Sequence, residues 1–174
     1  MDHADHLNLL RGGVGARGGV WADFGAGSGA FTLALAELLG PAAEIFAIDR
    51  DADRLRANER AMRDRFPRTS TRYVEADFCE PLELPPLDGI VIANALHFAP
   101  DQGHVLALLR RYLAPGARLL GVEYNIERSN SAVPYPVPLS RWQALACEAG
   151  FAQTKLLARR PSRFLREIYS AVSW

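Results

Sequence analysis

The stretch Gly19-Val-Trp-Ala-Asp-Phe-Gly-Ala-Gly-Ser-Gly-Ala-Phe-Thr-Leu-Ala-Leu-Ala-Glu-Leu-Leu39 contains the strongest pattern in the chain. Apolar residues at its start predict a buried strand, and the leucines near its end predict an amphipathic helix. Between them, Gly25, Gly27 and Gly29 stand at alternate positions, where the absence of a Cβ atom allows a sharp turn. The main-chain N–H groups of such a turn meet the positive end of the helix, so the stretch predicts a site for an anionic or carboxylated ligand.

Asp23 separates two classes of ligand that this glycine pattern admits. Gly25, Gly27 and Ala30 satisfy the G-x-G-x-x-G/A pattern of dinucleotide-binding domains, so a nucleotide pyrophosphate is one candidate. A carboxylate two residues before the first glycine would repel a pyrophosphate at close range, whereas it would attract an ammonium or a sulfonium. The pattern therefore favours a ligand that carries a cation and a carboxylate but no phosphate.

The segment Asp23-Phe-Gly-Ala-Gly-Ser-Gly29 resembles the first motif of the class I S-adenosylmethionine-dependent methyltransferases, in which an acid precedes G-x-G-x-G. The resemblance extends over roughly residues 8–174. It implies S-adenosylmethionine as the cofactor and an α/β fold, namely a Rossmann-like, seven-stranded, mostly parallel sheet with helices on both faces and a C-terminal antiparallel strand pair. We expect residues 1–18 to form a short, solvated N-terminal leader and residues 19–174 to form the methyltransferase domain.

The other strands are predicted from short apolar runs. These runs occupy residues 44–49, 72–76, 89–94 and 118–123, and helical patterns between them favour a parallel sheet. Residues 151–157 and 165–172 predict the final hairpin, with its turn in residues 159–163. Residues 129–139, a proline-rich segment that precedes this hairpin in the chain, predict either a lid over the substrate, with Tyr135 facing inward, or a plain connector.

Acidic residues that follow predicted strands are the expected cofactor ligands. Asp49 ends the second strand about 20 residues beyond Gly29, the position of a ribose-binding carboxylate in nucleotide-binding α/β folds. Asp77 and Phe78 follow the third strand, where a carboxylate can accept the adenine amine while a ring packs on the base. On the resemblance, the complete set of predicted cofactor-binding residues is Asp23, Phe24, Gly25, Ala26, Gly27, Gly29, Asp49, Arg50, Asp77, Phe78, Asn94 and Ala95.

The segment after the fourth strand predicts the class of acceptor. Asn94-Ala-Leu-His97 is similar to the Asn-x-Leu-His of small-molecule methyltransferases such as the quinone C-methylating group. It differs from the Asn/Asp-Pro-Pro-Tyr/Phe of family members that methylate amino groups of bases or of glutamine. A free imidazole changes its protonation near neutral pH and can accept a proton from a hydroxyl, an amine or an activated carbon, so His97 is the predicted catalytic base; the alternative is that it only packs the loop or hydrogen-bonds the backbone.

Composition argues against several other kinds of partner. Twenty basic residues balance twenty acidic ones, which lowers the expectation of a nucleic acid substrate. We predict no membrane span, because no apolar run is long enough, and no metal site. Cys79 and Cys147 match no metal or disulfide spacing, so we expect free thiols and a cytoplasmic location.

Two other functions remain open from the sequence. One is an NAD-dependent reductase, which the G-x-G-x-x-A match favours and which Asp23 and the terminal hairpin oppose. The other is a methyltransferase-like subunit that binds the cofactor, or nothing, and does not catalyse, since a fold does not specify a function. The sequence identifies neither the methyl acceptor nor the oligomeric state.

Overall fold

Alternating apolar strands and amphipathic helices build one continuous sheet with helices on both faces in the computed structural model, which describes residues 1–162 and 164–174. A short 3₁₀ turn at Leu96–Phe98 follows the fourth strand. In chain order the elements are α1 (His3–Leu10), β1 (Gly19–Phe24), α2 (Ala30–Leu39), β2 (Ala43–Asp49), α3 (Ala52–Arg65), β3 (Ser70–Glu75), β4 (Leu87–Ala93), α4 (Gln102–Tyr112), β5 (Leu113–Tyr124), α5 (Leu139–Glu148), β6 (Thr154–Ser162) and β7 (Arg166–Ser173).

The strand order is β3-β2-β1-β4-β5-β7-β6. The first five strands pair in parallel, and β7 runs antiparallel to both β5 and β6. This topology confirms the predicted fold class, including the antiparallel pair at the C-terminal edge. Chain order reverses at β1, where Phe24 has Ile48 of β2 on one side and Ile92 of β4 on the other. The loops that follow β1, β2 and β4 therefore meet at one edge of the sheet, where ligands bind in folds of this kind.

Helix α1 belongs to the folded core, contrary to the expectation of a solvated leader. Leu9 and Leu10 are fully buried among residues of α2 and the sheet. The polar side of the helix is held by a hydrogen bond between the His3 imidazole and Glu37 and by an ion pair between Asp5 and Arg160. The prediction was wrong because the short apolar face of α1 finds a partner surface that only the assembled sheet creates.

Two strand boundaries also differ from the sequence prediction. Strand β5 begins at Leu113, five residues before the predicted start at residue 118, so Pro115 and Gly116 lie inside the strand. Strand β6 continues to Ser162 and takes up most of the predicted hairpin turn. Arg163, the last residue of that predicted turn, lies outside the described residues. Among the described residues, no helix has the length and apolar character that crossing a membrane requires.

Candidate active site

The glycine turn after β1 is attached to the end of β2. The N–H groups of Gly25 and Ala26 both donate to the carbonyl oxygen of Ile48, at 2.8 and 3.0 Å. The Gly27 N–H donates to Oδ2 of Asp49 at 2.8 Å. These bonds place the start of α2 beside the carboxyl end of β2, so the turn and Asp49 act as one unit.

Gly25 also brings the turn against the loop that follows β4. Its φ is +72°, and a Cβ atom built on it would lie only 2.4 Å from the Cβ of Ala95. No L side chain fits this position without displacement of the β4 loop. The close approach of the two loops therefore depends on glycine at this position.

We predict that Gly25→Ala destabilises the protein more than Gly150→Ala does. Both glycines have a positive φ, +72° and +89°, so both variants acquire a backbone strain of about 1–2 kcal/mol. A Cβ at Gly150 meets nothing within 4 Å, whereas one at Gly25 clashes with Ala95, which adds about 1–3 kcal/mol of overpacking. Urea unfolding of the two variants measures the difference in free energy of unfolding, and equal losses would contradict the clash.

Asp23 lies at the end of a buried chain of hydrogen bonds. The Asn58 amide donates to Oγ1 of Thr32 at 2.9 Å, and that hydroxyl donates to Oδ2 of Asp23 at 2.7 Å. Oδ1 of Asp23 is buried and has no hydrogen-bond partner among the described residues. Burial, and to a lesser extent the charge of Asp49, raises the pKa of Asp23 to about 7, although the Thr32 bond opposes the shift. A carboxyl group of this kind is set up to gain a donor or a cation.

A cleft of about 430 Å³ opens at the carboxyl ends of the central strands. Its volume falls in the range of small-molecule sites. Seven of the predicted cofactor-binding residues line the cleft, together with five further residues. The predicted seven are Gly25, Asp49, Arg50, Asp77, Phe78, Asn94 and Ala95, and the further five are Asp51, Arg54, Cys79, Phe98 and Pro100.

Backbone N–H groups orient the carboxylates of the cleft. Asp49 accepts from the Asp51 N–H at 2.9 Å as well as from Gly27, so each of its oxygens has a fixed partner. Asp77 accepts from the N–H of Cys79 at 2.9 Å. Burial, together with the nearby charge of Asp77, raises the pKa of the Cys79 thiol to about 11, so this thiol is neutral at physiological pH. The cleft therefore presents oriented carboxylates and no reactive thiolate.

Asn94 combines a strained backbone with an unpaired side-chain atom. Its φ is +51°, in the left-handed region that asparagine tolerates better than most residues. Its N–H donates to the carbonyl oxygen of Val122 at 2.8 Å, which holds it to β5. Its Oδ1 is buried without a partner among the described residues. A strained residue with an unsatisfied polar atom at the wall of a cleft is a common feature of ligand sites.

His97 lies behind the wall of the cleft and does not line it. Its side chain is 3% exposed, and Nδ1 lies 2.5 Å from Oε2 of Glu123, a residue that is itself buried. The His97 N–H also donates to Oε1 of Glu123, at 3.3 Å. A proton on Nδ1 donates to the glutamate and leaves Nε2 as the acceptor nitrogen. The Phe98 ring, centred 4.3 Å from the imidazole, lies at the cleft.

The remaining predicted cofactor-binding residues do not line the cleft but lie next to it in the turn and the core. The Phe24 side chain is fully buried and stacks on Tyr112, so only its backbone is near the turn. Ala26 is buried in a small apolar cluster, and Gly29 is the N-cap of α2. Neither these three residues nor Asp23 and Gly27 line the cleft.

Tyr135 does not face the cleft, so the prediction of an inward-facing lid residue was wrong. Its ring is exposed and lines a separate cavity beside the prolines. Its backbone is held in place, because its N–H donates to the carbonyl oxygen of His97 and its own carbonyl oxygen accepts from the Gln102 side chain.

Three residues contribute to the site beyond those predicted. Asp51 and Arg54 both line the cleft, and the Arg54 N–H donates to the Asp51 side chain at 3.1 Å, so Asp51 also caps α3. Their spacing of three residues at the start of one helix was the available signal. The third residue, Glu123, forms the buried pair with His97.

Within residues 1–162 and 164–174, no three or more His, Cys, Asp and Glu side chains are placed to hold a metal ion.

Comparison with known proteins identifies a family. The family model described as "Methyltransferase domain" matches residues 22–119. A curated relative, the ubiquinone/menaquinone biosynthesis C-methyltransferase of Pasteurella multocida, is 30% identical over 105 residues, which cover 59% of this chain and 39% of that protein. The chain thus spans well under half the length of this relative.

Solved structures share the fold over nearly the whole chain. A putative O-methyltransferase from Nostoc punctiforme superposes with a TM-score of 0.78 at 18% identity, covering 98% of this chain and 56% of that one. An S-adenosylmethionine-dependent methyltransferase from Aquifex aeolicus superposes with a TM-score of 0.74 at 16% identity, covering 99% of this chain and 98% of that one.

Proposed function

This chain belongs to the methyltransferase domain family, whose cofactor is S-adenosylmethionine, and we propose that it methylates a small-molecule acceptor that gives up a proton in the reaction. The observation that carries the proposal is the buried His97–Glu123 pair directly behind the Phe98 wall of the cleft. A small molecule is favoured over a nucleic acid because the chain carries no net charge.

The residues of the cleft and of the adjoining turn fit this cofactor. We assign Asp49 to the ribose hydroxyls, Asp77 and Phe78 to the adenine, and the N–H groups of the first turn of α2 to the carboxylate, because those of Gly25, Ala26 and Gly27 already donate within the protein. Asp23, whose Oδ1 lacks a partner, is assigned to the ammonium. When bound, the cofactor supplies a methyl group made electrophilic by the sulfonium.

In the proposed reaction, the chain holds the acceptor in line with the methyl group and removes its proton. Nε2 of His97 accepts that proton, and Glu123 stabilises the imidazolium through Nδ1. General base catalysis of this kind contributes about 10²–10⁴ in rate, and positioning of the reactants contributes several further powers of ten.

We predict that the affinity for S-adenosylhomocysteine rises with pH through about 7. The raised pKa of Asp23, about 7, means that the carboxyl group is mostly neutral below that pH and must lose a proton to pair with the ammonium. Affinity therefore falls by up to about tenfold per pH unit below 7 and levels off above it.

The contribution of Asp23 to the stability of the ligand-free protein has the opposite dependence. This contribution to the free energy of unfolding decreases as the pH rises from 3.8, the ordinary pKa, to about 7, because the folded state retains a proton on Asp23 that the unfolded state releases.

Calorimetric titrations from about pH 5.5 to pH 8.5 measure the affinity, with Asp23→Asn as a control that binds weakly and with little pH dependence. A wild-type affinity that does not change with pH would contradict the assignment of Asp23.

Parallel calorimetric titrations with S-adenosylmethionine, S-adenosylhomocysteine and NADH test the proposed function. We expect saturable binding of the first two compounds and none of NADH. Transfer of tritium from methyl-labelled cofactor to a panel of small phenols, amines and activated carbon acids then tests catalysis. Binding of NADH alone would show a reductase, and binding of the first two without transfer to any panel member would favour a non-catalytic subunit.

A further inference from the structure

Four aromatic side chains form a continuous strip that starts at the wall of the cleft. We call Phe98, His97, Tyr124 and Phe164 the aromatic strip. The ring centroids of successive members are 4.3, 6.2 and 6.1 Å apart, and the corresponding interplanar angles are 50°, 48° and 50°. The strip leads from the cleft, which Phe98 lines, to the segment between β6 and β7.

Both ends of the strip are exposed. Phe98 is 52% exposed and Phe164 is 65% exposed, although most large apolar side chains of the chain are buried. The centre of the strip carries no exposed charge, because His97 and Glu123 are buried and burial raises the pKa of the Tyr124 hydroxyl. Exposed apolar side chains that adjoin a ligand cleft commonly mark a binding surface.

We propose that the aromatic strip binds the methyl acceptor and that the acceptor is a planar, uncharged aromatic compound. This inference rests on the proposed function, because it names the class of acceptor for the same site. Phe98 belongs to both surfaces, so an acceptor on the strip lies next to the cleft that is assigned to the cofactor. No separate pocket is needed to bring the two reactants together.

The tilted rings favour a flat ligand over a saturated one. Aromatic rings attract each other through offset stacked and edge-to-face contacts, with centroids about 4.5–7 Å apart. A planar ring can make such contacts with the exposed rings of the strip, whereas a saturated ring of the same size gains only apolar burial. The buried imidazole of His97 adjoins Phe98, with the two ring centroids 4.3 Å apart, so a ring bound on Phe98 brings its hydroxyl or acidic C–H to the side of the cleft that His97 adjoins.

The test compares two probes with the same carbon skeleton, 2-naphthol and decahydro-2-naphthol. Each is titrated into the full chain by saturation-transfer NMR, with and without S-adenosylhomocysteine. We expect 2-naphthol to bind about tenfold more tightly than its saturated analogue. Phe98→Ala and Phe164→Ala should each lower the affinity for 2-naphthol by about fivefold. Trp174→Ala, which removes an exposed ring elsewhere on the surface, should leave the affinity for 2-naphthol unchanged.

Equal affinity for the two probes, or unchanged 2-naphthol affinity in both strip variants, would overturn the inference. So would an oligomer of the wild-type chain, seen by light scattering, that Phe98→Ala and Phe164→Ala dissociate, because the strip would then bind a second copy. Failure of the proposed function is visible separately as a lack of S-adenosylhomocysteine binding, and the titrations without that compound then decide whether the strip binds planar rings.

Discussion

Replacement of Asp49 by Ala is expected to weaken S-adenosylmethionine binding by on the order of 100-fold. The carboxylate lines the cleft and is oriented by the N–H groups of Gly27 and Asp51, so it is ready to accept two ribose hydroxyls. Hydrogen bonds to a charged acceptor contribute about 1.5–3 kcal/mol each, and about 1.4 kcal/mol corresponds to a tenfold change in affinity. Calorimetric titration measures the dissociation constant.

Two controls separate ligand contact from damage to the turn. Asp53→Ala removes an exposed carboxylate from the start of α3 and should leave the affinity unchanged. Asp49→Asn keeps an acceptor for one N–H, so it should restore part of the stability lost in Asp49→Ala but little of the affinity, because the charge is absent. An unchanged dissociation constant in Asp49→Ala would remove the ribose assignment.

Replacement of His97 by Ala is expected to lower the rate of methyl transfer by about 10²–10⁴, with cofactor affinity changed less than about twofold. The imidazole is the proposed base, and it lies outside the cleft that holds the cofactor residues. The rate is measured as tritium transfer to the panel member that the wild-type protein methylates. Equal loss of rate and of cofactor affinity would indicate that His97 has a structural role.

The same variant should also be unstable, which requires a second control. Removal of the imidazole leaves Oε2 of the buried Glu123 without its partner, while the main-chain N–H of residue 97 still donates to Oε1. Leaving a buried polar group unsatisfied in this way costs about 1–3 kcal/mol. The double variant His97→Gln with Glu123→Gln keeps similar volume and hydrogen bonding and has no buried charge. We expect it to recover most of the free energy of unfolding in urea but none of the methyl-transfer rate. Recovery of the rate would contradict a catalytic role for His97.

Local patterns explain why the glycine turn and the carboxylates at the strand ends were predicted from the sequence. The glycines were recognisable because only their missing Cβ atoms permit such a turn. Asp49 and Asp77 were recognisable because parallel strands bring their carboxyl ends to one edge of the sheet. Both residues line the cleft, and so do Gly25 and Asn94.

Contacts between residues far apart in the chain could not be predicted from the sequence. Glu123 stands 26 residues beyond His97, and no spacing rule relates the two. They meet because β5 lies beside β4 in the sheet. The docking of α1 and the outward position of Tyr135 likewise depend on surfaces formed by segments distant in the chain.

The sequence by itself therefore determined the resemblance to the methyltransferases, the fold class and the residues of the glycine turn. These features follow from backbone geometry and from hydrophobic periodicity within short segments. Only the tertiary structure decided that Asp23 is buried with a pKa raised to about 7, that His97 is paired with Glu123, and that Phe98 and Phe164 stay exposed. Burial and pairing are properties of a side chain's surroundings, and segments far apart in the sequence supply those surroundings.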